Sequence, residues 1–119
     1  MEIQRKHVAK RYSRLTIYNG TAYFAMTPLS PYDATDSIVP QAKQIFERVE
    51  ERLKDCGSTK HDLLFVTVIL SDKRYLSAFN ELWDAWVSEV SPPSRACFFA
   101  ELTHPDLKVE LIIQARAQI

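Results

Sequence analysis

Positions 63–70 read Leu-Leu-Phe-Val-Thr-Val-Ile-Leu, with one hydroxyl and no charge among them. A strand with one wet face alternates apolar and polar side chains, because successive residues point to opposite sides. This run does not alternate. It predicts a central strand buried on both faces, and it is far too short for the ~20 residues of a membrane helix. A chain of 119 residues makes one domain, 1–119, with little material to cover two faces of a sheet.

The other elements are arranged around that strand. Leu15 to Tyr18 and Thr21 to Met26 are β-rich runs flanking Asn19-Gly20, the pair favoured by a two-residue type I′ hairpin turn. Arg5, Lys6, Lys10, Arg11 and Arg14 precede the hairpin against the single acid Glu2. A charged, solvated edge strand is favoured over an RNA-binding arm, since no aromatic or glycine pattern of an RNA module accompanies them. After a loop at Pro28 to Thr35, Asp36 or Ser37 caps a helix with Pro40 in its first turn. Ile38, Ala42, Ile45, Phe46, Val49 and Leu53 recur at spacings of three and four, and Gly57 closes the helix. Ser71 or Asp72 caps a second helix with Leu76, Phe79, Leu82, Trp83, Trp86 and Val90 as its stripe, ended by Pro92-Pro93. Ser94 to Leu102 and Lys108 to Ala117 are two last strands around the turn Thr103 to Asp106. The order implies an α+β fold, with one sheet packed against two helices on a single face. The second face of the central strand then needs a cover, and another subunit is the cover most readily available.

Composition narrows the functional classes. Fifteen Lys and Arg balance fifteen Asp and Glu, which disfavours a dedicated nucleic-acid binder. Met1 to His7 holds no apolar h-region, so the expectation is a soluble, cytoplasmic protein. Cys56 and Cys97 form no Cys-x-x-Cys pair and are read as reduced thiols. His7, His61 and His104 are scattered, and no metal site is expected. Gly20 and Gly57, the only glycines, cannot build a phosphate loop or a dinucleotide fingerprint.

Two charges interrupt apolar strands: Arg95 in Arg-Ala-Cys-Phe-Phe and Glu110 in Val-Glu-Leu-Ile-Ile. An unpaired buried charge is costly, so each needs a partner or a cavity. They either pair with each other across the final hairpin, or they act on a ligand. A guanidinium fork matches a carboxylate bidentately, and a desolvated glutamate holds or deprotonates water. Together they suit a small carboxylic acid with a water-mediated reaction beside it. Cys97, two positions after Arg95, shares its sheet face. A packed thiol is favoured there over a nucleophile, for which no base is near in sequence. Trp83 and Trp86 have the spacing of a buried stripe, and Asn80 is expected to bond neighbouring backbone.

Pro93-Ser-Arg95-Ala-Cys97 followed by Lys108-Val-Glu110 resembles the signature of the Rid family, the reactive-intermediate (imine) deaminases also called YjgF-like proteins. Tyr12-Ser13 and Phe79-Asn80 are similar to that family too, and Leu70-Ser-Asp-Lys-Arg with Trp83-Asp-Ala-Trp-Val87 is closer to its YoaB-like branch. The resemblance runs from about Tyr12 to Arg116. It implies a chorismate-mutase-like subunit, a mixed sheet with two helices on one face, assembled as a homotrimeric barrel with sites between subunits. The implied activity is hydrolysis of small 2-imino acids, such as 2-aminoacrylate and 2-iminobutanoate, to 2-keto acids and ammonia, with no cofactor. By motif match, Arg95 clamps the substrate carboxylate, Glu110 positions the water, backbone at Cys97 contacts substrate and Tyr12 closes the pocket. The family usually carries Ser-Gly or Thr-Gly at the end of the second hairpin strand; here Ala25-Met26 stands, followed by Thr27. Met26 is therefore expected to bring bulk to a place where backbone meets ligand. That departure keeps a second reading, a non-catalytic trimeric binder of small carboxylates. A third, an RNA-directed ribonuclease or translation inhibitor, is disfavoured by the charge balance and the absence of a histidine pair.

Overall fold

A computed structural model describes residues 2–119. The elements are β1 (Gln4–Val8), β2 (Ser13–Tyr18), β3 (Thr21–Met26), α1 (Val39–Lys54), β4 (Leu63–Leu70), α2 (Leu76–Trp86), β5 (Ser94–Phe99) and β6 (Val109–Arg116). They form one mixed sheet in the order β1-β2-β3-β6-β4-β5, antiparallel everywhere except at the β4–β5 pair.

Alternation sorts the side chains. Leu15, Ile17, Ala22, Phe24, Met26, Val66, Val68, Leu70, Val109, Leu111, Ile113 and Ala115 are buried with the stripes of α1 and α2 in one core. The opposite face presents Tyr18, Tyr23, Phe65, Phe98 and Ile112, each 37–47% exposed. Within one chain, β4 is thus covered on its helix side only.

Local chemistry explains most boundaries. Asn19 and Gly20 take φ of 52° and 79°, as a type I′ turn requires. Of the basic N-terminal residues, Arg5 and Lys6 lie in the edge strand β1, Lys10 and Arg11 in the turn that follows, and Arg14 in β2, one strand in from the edge. Neither Asp36 nor Ser37 is the N-cap of α1: Ile38 occupies that position without a side-chain bond, while Ser37 Oγ accepts from Val39 N at 3.1 Å. At the other end, Ser58 N donates to Leu53 O (2.9 Å) and Gly57 N to Lys54 O (3.0 Å), the paired bonds of a Schellman closure, with Gly57 at φ 69°. Asp72 caps a short 3-10 turn, Lys73–Tyr75, rather than α2 itself. That helix ends at Trp86, before the two prolines, which bar a helix downstream without locating its last residue.

The last two strands depart most from expectation. Both are shorter than expected, and they are not a hairpin: β4 lies between them. Because α2 carries the chain back over the sheet, β5 re-enters parallel to β4, the geometry of a crossover connection.

Gln41 on α1 ties this architecture to the start of β6. Its side chain is 1% exposed. Nε2 donates to Asp33 O (2.9 Å) and Asp106 O (2.7 Å), and Oε1 accepts from Lys108 N at 2.8 Å. Replacement by leucine leaves the buried Lys108 N–H and the Asp106 carbonyl without partners, while Asp33 O keeps its bond from Lys108 Nζ. Gln41→Leu is therefore expected to cost about 2–4 kcal/mol in urea unfolding, and a loss below about 0.5 kcal/mol would show that water replaces these bonds.

Candidate functional site

Glu110 pairs in register with Ile69, on the sheet face away from the helices. It lies in a cavity of about 500 Å³ walled by Tyr12, Ser13, Arg14, Ala25, Met26, Thr27, Tyr32 and Thr103. Burial pushes its carboxyl above the ordinary glutamate range, and no neighbouring charge enters that shift. A half-buried carboxyl whose desolvation no charge offsets holds its proton more readily and is suited to exchanging one with water.

Arg95 lies elsewhere. It pairs with Val66, whose side chain is on the helix side, so its guanidinium points toward α2. Nη2 donates to Asn80 Oδ1 at 2.7 Å, and the guanidinium carbon sits 5.0 Å from the Trp83 ring centre and 5.9 Å from that of Phe79. These rings belong to a packed aromatic group that includes Phe46 stacked on Trp86 at 4.4 Å. Cys97 pairs with Val68 on the same face and is half-buried.

Several expectations change in consequence. Arg95 and Glu110 do not pair across a hairpin, because β4 separates their strands and they point to opposite faces. Asn80 bonds the Arg95 side chain rather than backbone. Trp83 is core, 4% exposed, and also the floor beneath the guanidinium. Met26 forms part of the cavity wall, yet it is only 5% exposed and packs in the helix-side core opposite Leu111. Its side chain packs in the core while the residue still forms part of the cavity wall; Ala25, on the open side, is small.

The predicted site residues therefore form two groups. Tyr12, Met26, Thr27 and Glu110 share the cavity, whereas Arg95 and Cys97 join Asn80 and Trp83 on the helix side. Arg14 was missed as a cavity residue. Its alternation with Leu15 and Ile17 places it on the open face, but the sequence offers it first as one more charge of the basic edge. A second cavity, about 620 Å³, opens among Asp36, Asp72, Arg74, Glu101 and His104 and contains none of the predicted site residues.

The model of the family described as Endoribonuclease L-PSP matches residues 2–117. A RutC family protein of Haemophilus influenzae is 36% identical over 115 residues, covering 97% of this chain and 98% of the relative. The RutC family protein YoaB of Escherichia coli is 34% identical with the same coverage. The chain belongs to the YjgF/RutC family, the Rid proteins. A solved YjgF member from Neisseria meningitidis superposes on this Rid chain with a TM-score of 0.87 at 28% identity, covering 100% of this chain and 98% of that one. A Pseudomonas aeruginosa structure gives 0.89 at 30%, covering 98% and 100%. The Rid subunit thus has the chorismate-mutase-like α+β fold. No helix among the described residues is long and apolar enough to cross a membrane.

The raised pKa of Glu110 sets a sign for stability. The folded chain holds this proton at pH values where the unfolded chain has released it, so stability falls as pH rises from the ordinary glutamate pKa through the raised one. Glu110→Gln has no charge to desolvate. It should melt above the parent near about pH 8 and level with it near about pH 4. A variant melting below the parent at the higher pH would instead reveal a buried cation paired with Glu110.

Proposed function

We propose that this Rid protein is a deaminase that hydrolyses small 2-imino acids to 2-keto acids and ammonia, at sites shared between neighbouring subunits of a cytoplasmic homotrimer. One observation carries the reading: the carboxylate-binding group around Arg95 and the water-handling group around Glu110 lie on opposite faces of one sheet. Neither is a complete site. A copy of the chain seated against the open apolar face would bring the Glu110 cavity of one subunit against the Arg95 edge of the next. The row of exposed Tyr18, Tyr23, Phe65, Phe98 and Ile112 would then line the interior of a barrel.

In this reading the Arg95 fork takes the substrate carboxylate in two parallel hydrogen bonds, while Asn80 and the Trp83 ring fix the plane of the fork. Glu110 holds a water against the imine carbon and removes its proton as the C–O bond forms. The same proton then passes to nitrogen, and as the C–N bond breaks the hydroxyl gives its remaining proton back to Glu110; the carbonyl forms and ammonia leaves, taking that proton from Glu110 as ammonium. Backbone at Cys97 contacts the substrate, and Tyr12, 60% exposed, closes the cavity from its rim. No cofactor is needed, because a protonated imine beside a carboxylate is already an electrophile with its leaving group attached.

Of the other readings, the carboxylate-binding protein rests on the Met26 departure; the Met26 side chain packs in the core, although the residue still forms part of the cavity wall. The ribonuclease name of the family model suggests an RNA role, but the walls of the Glu110 cavity include no histidine. RNA cleavage there would lack an acid–base pair.

The activity is tested by coupling to a threonine dehydratase and following ammonia release. Arg95→Lys keeps the charge but not the fork and should lose about 2–4 kcal/mol in kcat/KM while remaining folded. Unchanged turnover would remove Arg95 from the site. Subunit sharing is tested by mixing two inactive variants, Arg95→Lys and Glu110→Gln. Refolded together one to one, they should regain about a quarter of parental activity, since each shared site draws its two halves independently. No regain would place both halves of the site in one subunit.

A further inference from the structure

The cavity that holds Glu110 has a second, cationic end. Arg14 forms part of its wall, with its guanidinium carbon 5.5 Å from the Tyr12 ring centre and Nη1 bonded only to His7 O at 3.3 Å. Behind it, Arg48 on α1 donates through Nη1 to the carbonyl of Thr27, another wall residue. Arg48 is partly buried, and both burial and the nearby Arg52 weigh against its charge, with only Glu51 and Tyr12 acting in the opposite sense. Arg52 in turn has Nη1 buried without a hydrogen-bond partner.

The nearby carboxylate does not neutralise this group. Asp55 is engaged by His7 at 3.0 Å and by Arg52 at 3.6 Å. Among the described residues, neither Arg14 nor Arg48 has an ion-pair partner. Arg14 is exposed at the rim and Arg48 is partly buried behind it, so their positive charge is open to an anionic group entering the cavity. Glu110 is not that group, since no arginine enters its pKa shift. The cavity therefore has two electrically distinct ends, a carboxyl that handles water and a cationic rim.

We propose that the cationic rim is a subsite for a second anionic group, so that the favoured substrates are dicarboxylic 2-imino acids rather than short monocarboxylic ones. The inference rests on the deaminase reading above. The neighbouring subunit's Arg95 would hold the carboxylate next to the imine, and Arg14, with the field of Arg48 behind it, would hold the distal one. Tyr12 would then do more than close the pocket: its ring carries the Arg14 guanidinium at the rim. The reaction is unchanged, with water adding to the imine carbon and ammonia leaving. A five-carbon chain places its distal carboxylate away from Glu110, where like charge would repel it.

The test uses the intact assembly and two stable keto-acid products as probes, 2-oxoglutarate and 2-oxobutanoate, in calorimetric titration. The parent should favour 2-oxoglutarate by roughly tenfold or more, as expected for one added charge-assisted contact. Arg14→Gln and, separately, Arg48→Gln should compress that ratio toward one. Equal affinity for both acids in the parent, or a ratio unmoved by either variant, overturns the subsite while leaving the deaminase reading in place. An assembly that dissociates on Arg14→Gln also overturns it, because the arginine would then be an intersubunit contact. If neither acid binds the parent at millimolar concentration, the deaminase reading falls and the subsite with it.

Discussion

A residue in a strand commits to one face of its sheet, and in this chain that commitment places the chemistry. Val109, Leu111, Ile113 and Ala115 must meet the helices to bury the core, so Glu110 between them is driven to the other side. The same rule on β4 and β5 aligns Arg95 and Cys97 with Val66 and Val68 and sends Arg95 under α2. Hydrophobic burial far outweighs any attraction between the two charges, since each core side chain contributes about 1.5–3 kcal/mol. A one-residue slip that brought Arg95 and Glu110 to one face would expose the entire inner row of a strand. The separation of Arg95 and Glu110 is therefore a consequence of making the core at all.

Arg95 is held by contacts suited to a group that must be both fixed and available. The Asn80 acceptor satisfies one nitrogen without neutralising the cation, and the aromatic floor attracts it through the ring quadrupole rather than a counter-charge. A carboxylate partner in place of Asn80 would have closed the site to ligands. The placement also explains an otherwise awkward residue, since asparagine is a poor helix former and sits in the middle of α2. Helix propensity is given up for the orientation of one side chain.

What could be read from residues alone divides along the range of the interaction that decides it. The Asn19-Gly20 hairpin, the edge strand of basic residues and the Gly57 helix closure are settled by contacts within a few positions, and the structure agrees. The pairing of β5 with β4 depends on where α2 carries the chain, and nothing in Arg95 or Glu110 encodes it. The two charges were recognisable as functional candidates because each breaks an apolar run. Their relation was not, because it requires the strand order. Met26 shows the same limit: its place in the chain puts it in the cavity wall, but only its phase on β3, in step with Ala22 and Phe24, shows that its side chain packs in the core.

The proposed chemistry would tolerate such a division better than most. An acyl transfer or a phosphoryl transfer needs several preorganised groups converging on one atom, and splitting them between chains would strain the tolerance of about 0.5 Å that such sites demand. Imine hydrolysis starts from an electrophile whose leaving group is already poised, so it needs a held carboxylate, an oriented water and one group that carries a proton. In the proposed site the first requirement would be met by Arg95 on a rigid strand against an aromatic floor, and the others by Glu110, whose carboxyl burial pushes above the ordinary glutamate range. In the proposed assembly each half would be rigid within its own subunit, and only their relative placement would depend on assembly. A site of so few parts can be divided along a subunit boundary without losing precision, provided the apolar face that joins the copies is as well packed as a core.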